Sequence, residues 1–279
     1  MTTWCRAPLT YAAPSGGLLG GEVEVEIRDG RTASLPGWGT CGFERVDHRS
    51  AVGDWTDDEE VAGVHYGEAE ALARRLTGCW AALVSDHVKR SGEPPDARRA
   101  REQTPVRLVH SDFAANYEDV VRHGYDEVRG RGAATLARTG VTADDVRGAA
   151  RIVMLQLWRN LGAPKMDLPV AFCDSRTVTT EEVRPFPYTG YVAGGRSFDA
   201  LAVVAPPPGE EGRHHWYAFP SLTADEVVAF RTYDTDLVRE GRTWFTPHSA
   251  FRDPEVPAGA PARFSIELRV LCLFAPPAH

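Results

Sequence analysis

Alternating apolar and polar positions predict several short strands, and the most informative run is VRLVHSD in the middle of the chain. Side chains on a strand alternate between its two faces, so Val106, Leu108, His110 and Asp112 are predicted to share one face. A histidine and a carboxylate at the end of one strand then point into the same space. If His248 arrives from another strand, the three form a two-histidine, one-carboxylate triad, which suits non-haem Fe(II).

A second informative strand covers residues 263–274, where the two-residue period is almost regular. Its polar face carries Arg263, Ser265, Glu267 and Arg269, and its other face is apolar. Charges that point into a barrel carry a desolvation cost unless they are paired or bind something. An arginine and a serine on one strand face can hold a carboxylate, the arginine through a bidentate pair.

The remaining elements are predicted from periodicity and capping residues. Residues 1–20 lack a clear period and are expected to be irregular. A strand at 22–27 precedes Asp29-Gly30, which indicates a tight hairpin. Further strands are expected at 151–158, 169–173 and 214–219, and helices at 57–90, after Thr142, and after a Thr223–Glu226 capping box. The polar and aromatic segment 113–130 is expected to form a lid or loop over the site.

Many short strands, few helices and no strand–helix alternation favour a mainly β fold with flanking helices. The expected architecture is a double-stranded β-helix barrel of the jelly-roll or cupin-like type. No internal repeat or linker divides the chain, so we expect a single domain over residues 1–279. Within it, 1–105 would form N-terminal strands and helices that pack on the barrel, and 106–274 would form the barrel core.

Composition narrows the class of protein. The 279 residues are 43% hydrophobic and carry a formal net charge of −8, which argues against a nucleic-acid partner. The five cysteines form no CxxC pair and no signal peptide precedes them, so free thiols and a cytoplasmic location are expected. Apolar runs are too short for a membrane span. A monomer and a homodimer both remain possible, and no P-loop or GxSxG motif is present.

Six separated segments resemble the CmcJ/NvfI (AsaB-like) family of Fe(II)/2-oxoglutarate-dependent oxygenases of secondary metabolism. They are VHSD at 109–112, QLWR at 156–159, AFCD at 171–174, WYAF at 216–219, FTPHSAFRDP at 245–254 and RFSIELR at 263–269. The resemblance covers roughly residues 105 to 274, in the same order. One departure is Asn160, where the family usually has proline, and this leaves any role of Arg159 open.

The resemblance implies a barrel that holds Fe(II) through His110, Asp112 and His248. It also implies 2-oxoglutarate as cosubstrate, with its far carboxylate on Arg263 and Ser265, O₂ as oxidant, and benefit from ascorbate in vitro. The substrate would be a small natural product or amino-acid derivative that is hydroxylated, desaturated or cyclised.

Several alternatives stay open at this stage. Arg269 is a second candidate for the 2-oxoglutarate anchor. Candidates for substrate contact are Phe113, Tyr117, Gln156, Arg159 and Trp216. Core packing is the default explanation for the aromatic residues and an ion pair at a strand end for Arg159, while a hydrogen-bonded core amide explains Gln156 equally well. A cupin-like barrel that binds a metal or small ligand without redox turnover would not need the Arg263-x-Ser265 pair. A further alternative is an Fe(II) oxidase that keeps the triad but does not use 2-oxoglutarate.

Overall fold

Two β-sheets form the scaffold in a computed structural model that describes residues 2–14, 17–126, 129–188, 198–257 and 259–275. The larger sheet has eight strands, in spatial order β1 (Thr3–Tyr11), β2 (Gly21–Asp29), β10 (Trp216–Ala218), β7 (Val170–Cys173), β12 (His248–Ala250), β5 (His110–Ser111), β9 (Phe198–Val203) and β8 (Val183–Tyr188). The smaller sheet has five, in the order β3 (Phe43–Asp47), β11 (Glu226–Asp234), β6 (Arg151–Asn160), β13 (Phe264–Phe274) and β4 (Ala81–Ser91).

Short helices flank the two sheets. They are α1 (Trp38–Cys41), α2 (Asp58–Glu60), α3 (Tyr66–Thr77), α4 (Tyr117–His123), α5 (Arg131–Thr139), α6 (Ala143–Gly148) and α7 (Thr235–Arg239). A π-helical turn, Val61–His65, joins α2 to α3, and 3₁₀ turns lie at Ser175–Thr177, Thr180–Glu182 and Glu211–Arg213. Thr142 caps α6 through a capping box, as predicted. None of the helices in the described part of the chain is long and apolar enough to cross a bilayer.

The two sheets pack face to face, because side chains of both contribute to shared apolar clusters. Phe172 and Tyr217 of the larger sheet pack with Trp158 and Phe230 of the smaller one. The outer face of the smaller sheet is covered by α3, whose Leu72 joins a separate cluster with residues of β6 and β13. This mainly β, two-sheet arrangement confirms the expected jelly-roll class.

The register of β13 decides which side chains face the interior. It pairs with β6 so that Arg269 lies opposite Gln156 and Glu267 opposite Trp158. The alternate residues Ile266 and Leu268 belong to the outer cluster under α3. The two-residue period read from the sequence is therefore correct, and the charged face of β13 points between the sheets.

The N-terminal segment differs from the prediction. Residues 3–11 form edge strand β1 rather than an irregular lead-in, with Cys5, Ala7 and Leu9 buried. Small residues and Pro8 obscured the alternation, and a proline is tolerated at a sheet edge.

Asp29-Gly30 forms a turn but no hairpin, because β2 pairs with β1 and β10. Strands β1–β4 all belong to the two sheets. Residues 1–105 are therefore part of the barrel and do not only pack on a core formed by residues 106–274.

Two predicted helices are partly or wholly strands. The helix predicted over 57–90 ends at Thr77, where Gly78 takes a left-handed conformation (φ 72°), and β4 follows. Of the predicted capping box, the bond from the Thr223 N–H to the Glu226 carboxylate forms, but the Thr223 hydroxyl donates to that carboxylate and does not accept from the Glu226 N–H. The chain beyond these residues is strand β11, because β3 and β6 offer partners on both sides. The strand at 106–110 is also shorter than expected, since only His110 and Ser111 pair regularly.

Candidate metal centre

His110 and His248 lie directly opposite each other where β5 pairs with β12. Their ring centroids are 4.3 Å apart, and both side chains are largely buried. Phe172 and Phe230 pack around the His248 ring, with centroids 6.4 Å and 4.8 Å away. The sheet register therefore brings together two histidines that are far apart in sequence and encloses one of them in aromatic side chains.

Backbone carbonyls fix the orientation of both imidazoles. The Nδ1 of His110 is 2.8 Å from the carbonyl oxygen of Leu108, and the Nδ1 of His248 is 3.1 Å from that of Thr246. A carbonyl can only accept a hydrogen bond, so each Nδ1 donates and each Nε2 keeps its lone pair. Burial lowers the pKa of His110 and, with the neighbouring imidazole, lowers that of His248 to about 4. Both rings are therefore neutral at pH 7.

Asp112, directly after β5, completes the cluster. Its Oδ1 lies 3.8 Å from the Nε2 of His110, and ligand atoms of the three residues all lie within 4.8 Å of one another. Its Oδ2 accepts hydrogen bonds from the amide of Gln156 and from the Arg269 guanidinium. Two neutral imidazoles with free Nε2 atoms and one carboxylate are a donor set that fits Fe(II) with open positions.

Arg263 lies beside the histidines and carries a buried charge. It lines a small cavity together with His110, His248 and Trp158, and only 2% of its surface is exposed. Its Nε donates to Ser265 Oγ at 2.9 Å, and its guanidinium stacks on the Trp158 ring at 5.1 Å. Within the described residues no carboxylate lies at ion-pair distance from its guanidinium. Burial lowers the pKa of Arg263 to about 9, so it still carries its charge at pH 7.

Arg90 and Glu267 line the same cavity but neutralise each other. Arg90 Nη2 and Glu267 Oε1 are 2.8 Å apart, and both side chains are buried. Burial raises the pKa of Glu267, but the Arg90 guanidinium more than offsets this effect, and the pKa is about 2. Among the cations of this cavity, Arg263 is thus the one that can take up an added carboxylate without breaking an ion pair.

A larger cavity of about 260 Å³ lies on the other side of Arg269. Its walls include Phe113 and Tyr117, whose rings stack with centroids 4.0 Å apart. Ser85 and Tyr125 form a hydroxyl pair at 3.0 Å within this largely apolar wall. The segment predicted to act as a lid contains helix α4, which contributes Tyr117 to the cavity. Residues 127 and 128 of that segment lie outside the described residues.

The structure does not bring every predicted residue to the site. Arg159 faces away from the triad, where it contacts the carbonyl and Nδ1 of His48 at 2.8 and 2.7 Å and stacks on Trp55. Trp216 is fully buried and donates to the hydroxyl of Tyr11 at 2.9 Å, and neither cavity includes it. Trp216 also alternates with Tyr217, which faces the barrel interior, so its position on β10 turns it away from His248.

Some residues of the site were not singled out from the sequence. Arg90 and Ser85 lie on β4, a strand that the apolar spacing of 57–90 had assigned to a helix. A strand assignment would have required the helix stop at Gly78 to be read first.

Asn160, the departure from the family pattern, is buried and its amide donates to the carbonyls of Ala163 and Leu222 at 3.0 and 2.7 Å. It therefore holds the turn after β6.

Comparisons with known proteins agree with this geometry. Residues 14–273 match the profile of a family described as Oxidoreductase/YMDC permease-like domain. The chain is 26% identical over 231 residues to the hydroxylase/desaturase CTB9 of Cercospora beticola, covering 77% of this chain and 66% of that protein. It is 30% identical over 251 residues to the hydroxylase/desaturase efuI of Hormonema carpetanum, covering 82% and 76%.

A similar fold occurs in the solved structure of the iron and alpha-ketoglutarate-dependent endoperoxidase NvfI. The TM-score is 0.73 at 22% sequence identity, over 98% of this chain and 99% of that one. The resemblance read from the sequence is confirmed. The chain belongs to the CmcJ/NvfI (AsaB-like) family of oxidoreductases, whose members include Fe(II)/2-oxoglutarate-dependent enzymes.

Proposed function

We propose that this protein is a non-haem Fe(II)/2-oxoglutarate-dependent dioxygenase that hydroxylates, desaturates or cyclises a small natural product or amino-acid derivative in secondary metabolism. One observation carries the proposal: the cross-strand pair His110–His248 shares a cavity with Arg263, a buried cation that pairs with no carboxylate of the described residues. A metal centre explains the histidines, and a dicarboxylate cosubstrate explains the arginine.

His110, Asp112 and His248 would hold the iron. When bound, Fe(II) supplies the activation of O₂, coupled to oxidation of 2-oxoglutarate to succinate and carbon dioxide. The protein contributes fixed ligand orientation, because the carbonyls of Leu108 and Thr246 hold both imidazoles. Phe172 and Phe230 pack against His248 and keep water away from its outer side.

Arg263 and Ser265 would bind the far carboxylate of 2-oxoglutarate. Arg263 offers a planar pair of N–H donors, and the Ser265 hydroxyl holds its Nε at 2.9 Å. Arg269, the second candidate, already donates to Asp112 and faces the other cavity, which favours Arg263 as the anchor. The cavity beside the histidines measures about 20 Å³, so its lining side chains must shift to admit a five-carbon diacid.

The substrate would occupy the cavity of about 260 Å³ bounded by Phe113, Tyr117 and Arg269. Its largely apolar wall, which includes the stacked rings of Phe113 and Tyr117, suits an apolar ring system, and the Ser85–Tyr125 hydroxyl pair suits an uncharged oxygen function on the substrate. Gln156 lies at the boundary with the metal centre through its bond to Asp112.

We place this activity in a single domain that acts in the cytoplasm as a monomer or homodimer, without a nucleic-acid or membrane partner. All five cysteines are free and buried, which fits a reducing compartment. The net charge of −8 opposes binding to phosphate backbones. Both sheets contain strands from before and after residue 105, which supports one folding unit.

The test is succinate formation by purified protein supplied with Fe(II), 2-oxoglutarate, ascorbate and air. We expect slow succinate release without substrate and faster release with compounds drawn from natural-product libraries. O₂ consumption that continues when 2-oxoglutarate is omitted would instead indicate an Fe(II) oxidase that does not use it. Neither succinate formation nor O₂ consumption under any of these conditions, with iron bound, would leave a cupin-like barrel that binds a metal without turnover.

A further inference from the structure

We infer that Gln156 and Arg269 are positioning residues that restrict Asp112 to ligation through a single oxygen. This inference rests on the proposed metal centre and assigns a role to two side chains outside it. The sequence had suggested Gln156 for substrate and Arg269 for 2-oxoglutarate, and the contacts of both lead instead to the Asp112 carboxylate.

The sheet register places the two residues side by side. Arg269 on β13 lies opposite Gln156 on β6, and both point between the sheets. Gln156 is 1% exposed, and its Nε2 donates to Oδ2 of Asp112. The Nε and Nη2 of Arg269 each lie 3.4 Å from the same oxygen.

The other carboxylate oxygen points to the metal side. Oδ1 of Asp112 lies 3.8 Å from His110 Nε2, whereas Oδ2 faces the three N–H donors. An oxygen that accepts several hydrogen bonds has its lone pairs engaged and is a poor metal ligand. Asp112 would then bind as a monodentate ligand, which leaves open the positions that two cosubstrates require.

Arg269 also forms part of the wall of the 260 Å³ cavity, with its guanidinium 5.8 Å from the centre of the Phe113 ring. One side chain therefore contacts both the carboxylate and the proposed substrate space. A lysine at this position would keep the charge but lose the planar arrangement of two N–H donors.

Co(II) titration, followed by visible spectroscopy and thermal melting, tests the inference with Gln156→Met and Arg269→Lys. We expect Co(II) affinity to fall about 10- to 100-fold, the range for loss of a partner of a metal ligand. We also expect an altered Co(II) spectrum and a smaller rise in melting temperature on adding Co(II), while the metal-free proteins melt like wild type. Arg231→Lys is the matched control, because Arg231 is buried in β11 and contacts the carbonyls of Trp38 and Gly39.

Unchanged Co(II) affinity and spectrum in both variants would overturn the inference. A lower melting temperature without metal, combined with an undiminished Co(II)-induced rise, would also overturn it, because that result indicates a purely structural role. His110→Ala separates a failure of this inference from a failure of the proposed metal centre. If this variant binds Co(II) as tightly as wild type, the proposed metal centre itself is wrong.

Discussion

His110 and His248 pair across β5 and β12, and their Nδ1 atoms both bond to carbonyls two residues earlier in the chain. The same local device thus orients each ring. Cross-strand neighbours are held more rigidly than residues on loops, so the spacing of the two Nε2 atoms is set by the sheet. A mobile loop would not maintain that spacing.

Replacement of His110 or Asp112 by alanine should abolish metal binding without unfolding the protein. Each change removes one of three ligands but leaves the packing between the sheets intact. We expect succinate formation to fall to background, measured together with bound iron per chain. His123→Ala, on the exposed surface of α4, is the control and should retain both. Normal turnover in either alanine variant would contradict the assignment.

Arg263→Ala should raise the 2-oxoglutarate concentration needed for half-maximal succinate formation on the order of 100-fold, because charge-assisted hydrogen bonds contribute about 1.5–3 kcal/mol. Arg263→Lys should recover part of this loss, since it keeps the charge without the bidentate geometry. Iron affinity should change much less. Titration of 2-oxoglutarate at saturating Fe(II) measures the effect.

Arg159→Lys is the matched control, a buried arginine of the same sheet that contacts His48 on the outer face. If the control variant needs as much 2-oxoglutarate as Arg263→Ala, the anchor has been assigned to the wrong arginine.

Alternation along single strands was enough to predict much of the site. It placed His110 and Asp112 on one face and put Arg263, Ser265 and Arg269 on another, and the structure shows both arrangements. Local periodicity carries this information because the two-residue repeat of a strand does not depend on its neighbours. The resemblance to the family supplied His248 as the partner from a distant strand.

The partners of these side chains could not be predicted in the same way. Arg269 contacts Asp112 because β13 pairs with β6 in one particular register, and no local pattern specifies that register. The segment after Glu226 has apolar residues compatible with either a helix or a strand, and pairing with β3 and β6 decides for a strand. Pro8 and small residues weaken the alternation that would predict β1. Pairing with its partner strand, and not its own composition, determines the conformation of β1.

The five cysteines should resist labelling by a thiol reagent such as Ellman's reagent in the native state and all react in denaturant. Each is buried, and burial raises the pKa of Cys5 to about 12, so thiolate is scarce. Rapid labelling of the native protein would contradict this burial.

Glu226 should stabilise the fold in a way that disappears at low pH. Its carboxylate accepts hydrogen bonds from Arg31 at 2.7 and 2.9 Å, from Arg45 at 2.7 Å and from the Thr223 N–H at 2.9 Å. Burial raises the pKa of Glu226, but these partners more than offset this effect and bring it to about 2, below the ordinary value of 4.5. A depressed folded-state pKa adds stability that is complete above about pH 5 and is lost as the pH falls from 4.5 towards 2.

The measurement is the free energy of unfolding of wild type and Glu226→Gln as a function of pH. We expect wild type to be more stable by about 1–3 kcal/mol at pH 7, the contribution of hydrogen bonds to a charged group. The difference should shrink steadily below pH 4.5, because protonated Glu226 resembles the glutamine. Glu240→Gln, at an exposed position after α7, is the control and should show no such pH dependence. A difference between wild type and Glu226→Gln that stays constant down to pH 2 would show that the ion pairs contribute nothing and that the glutamine only disturbs packing.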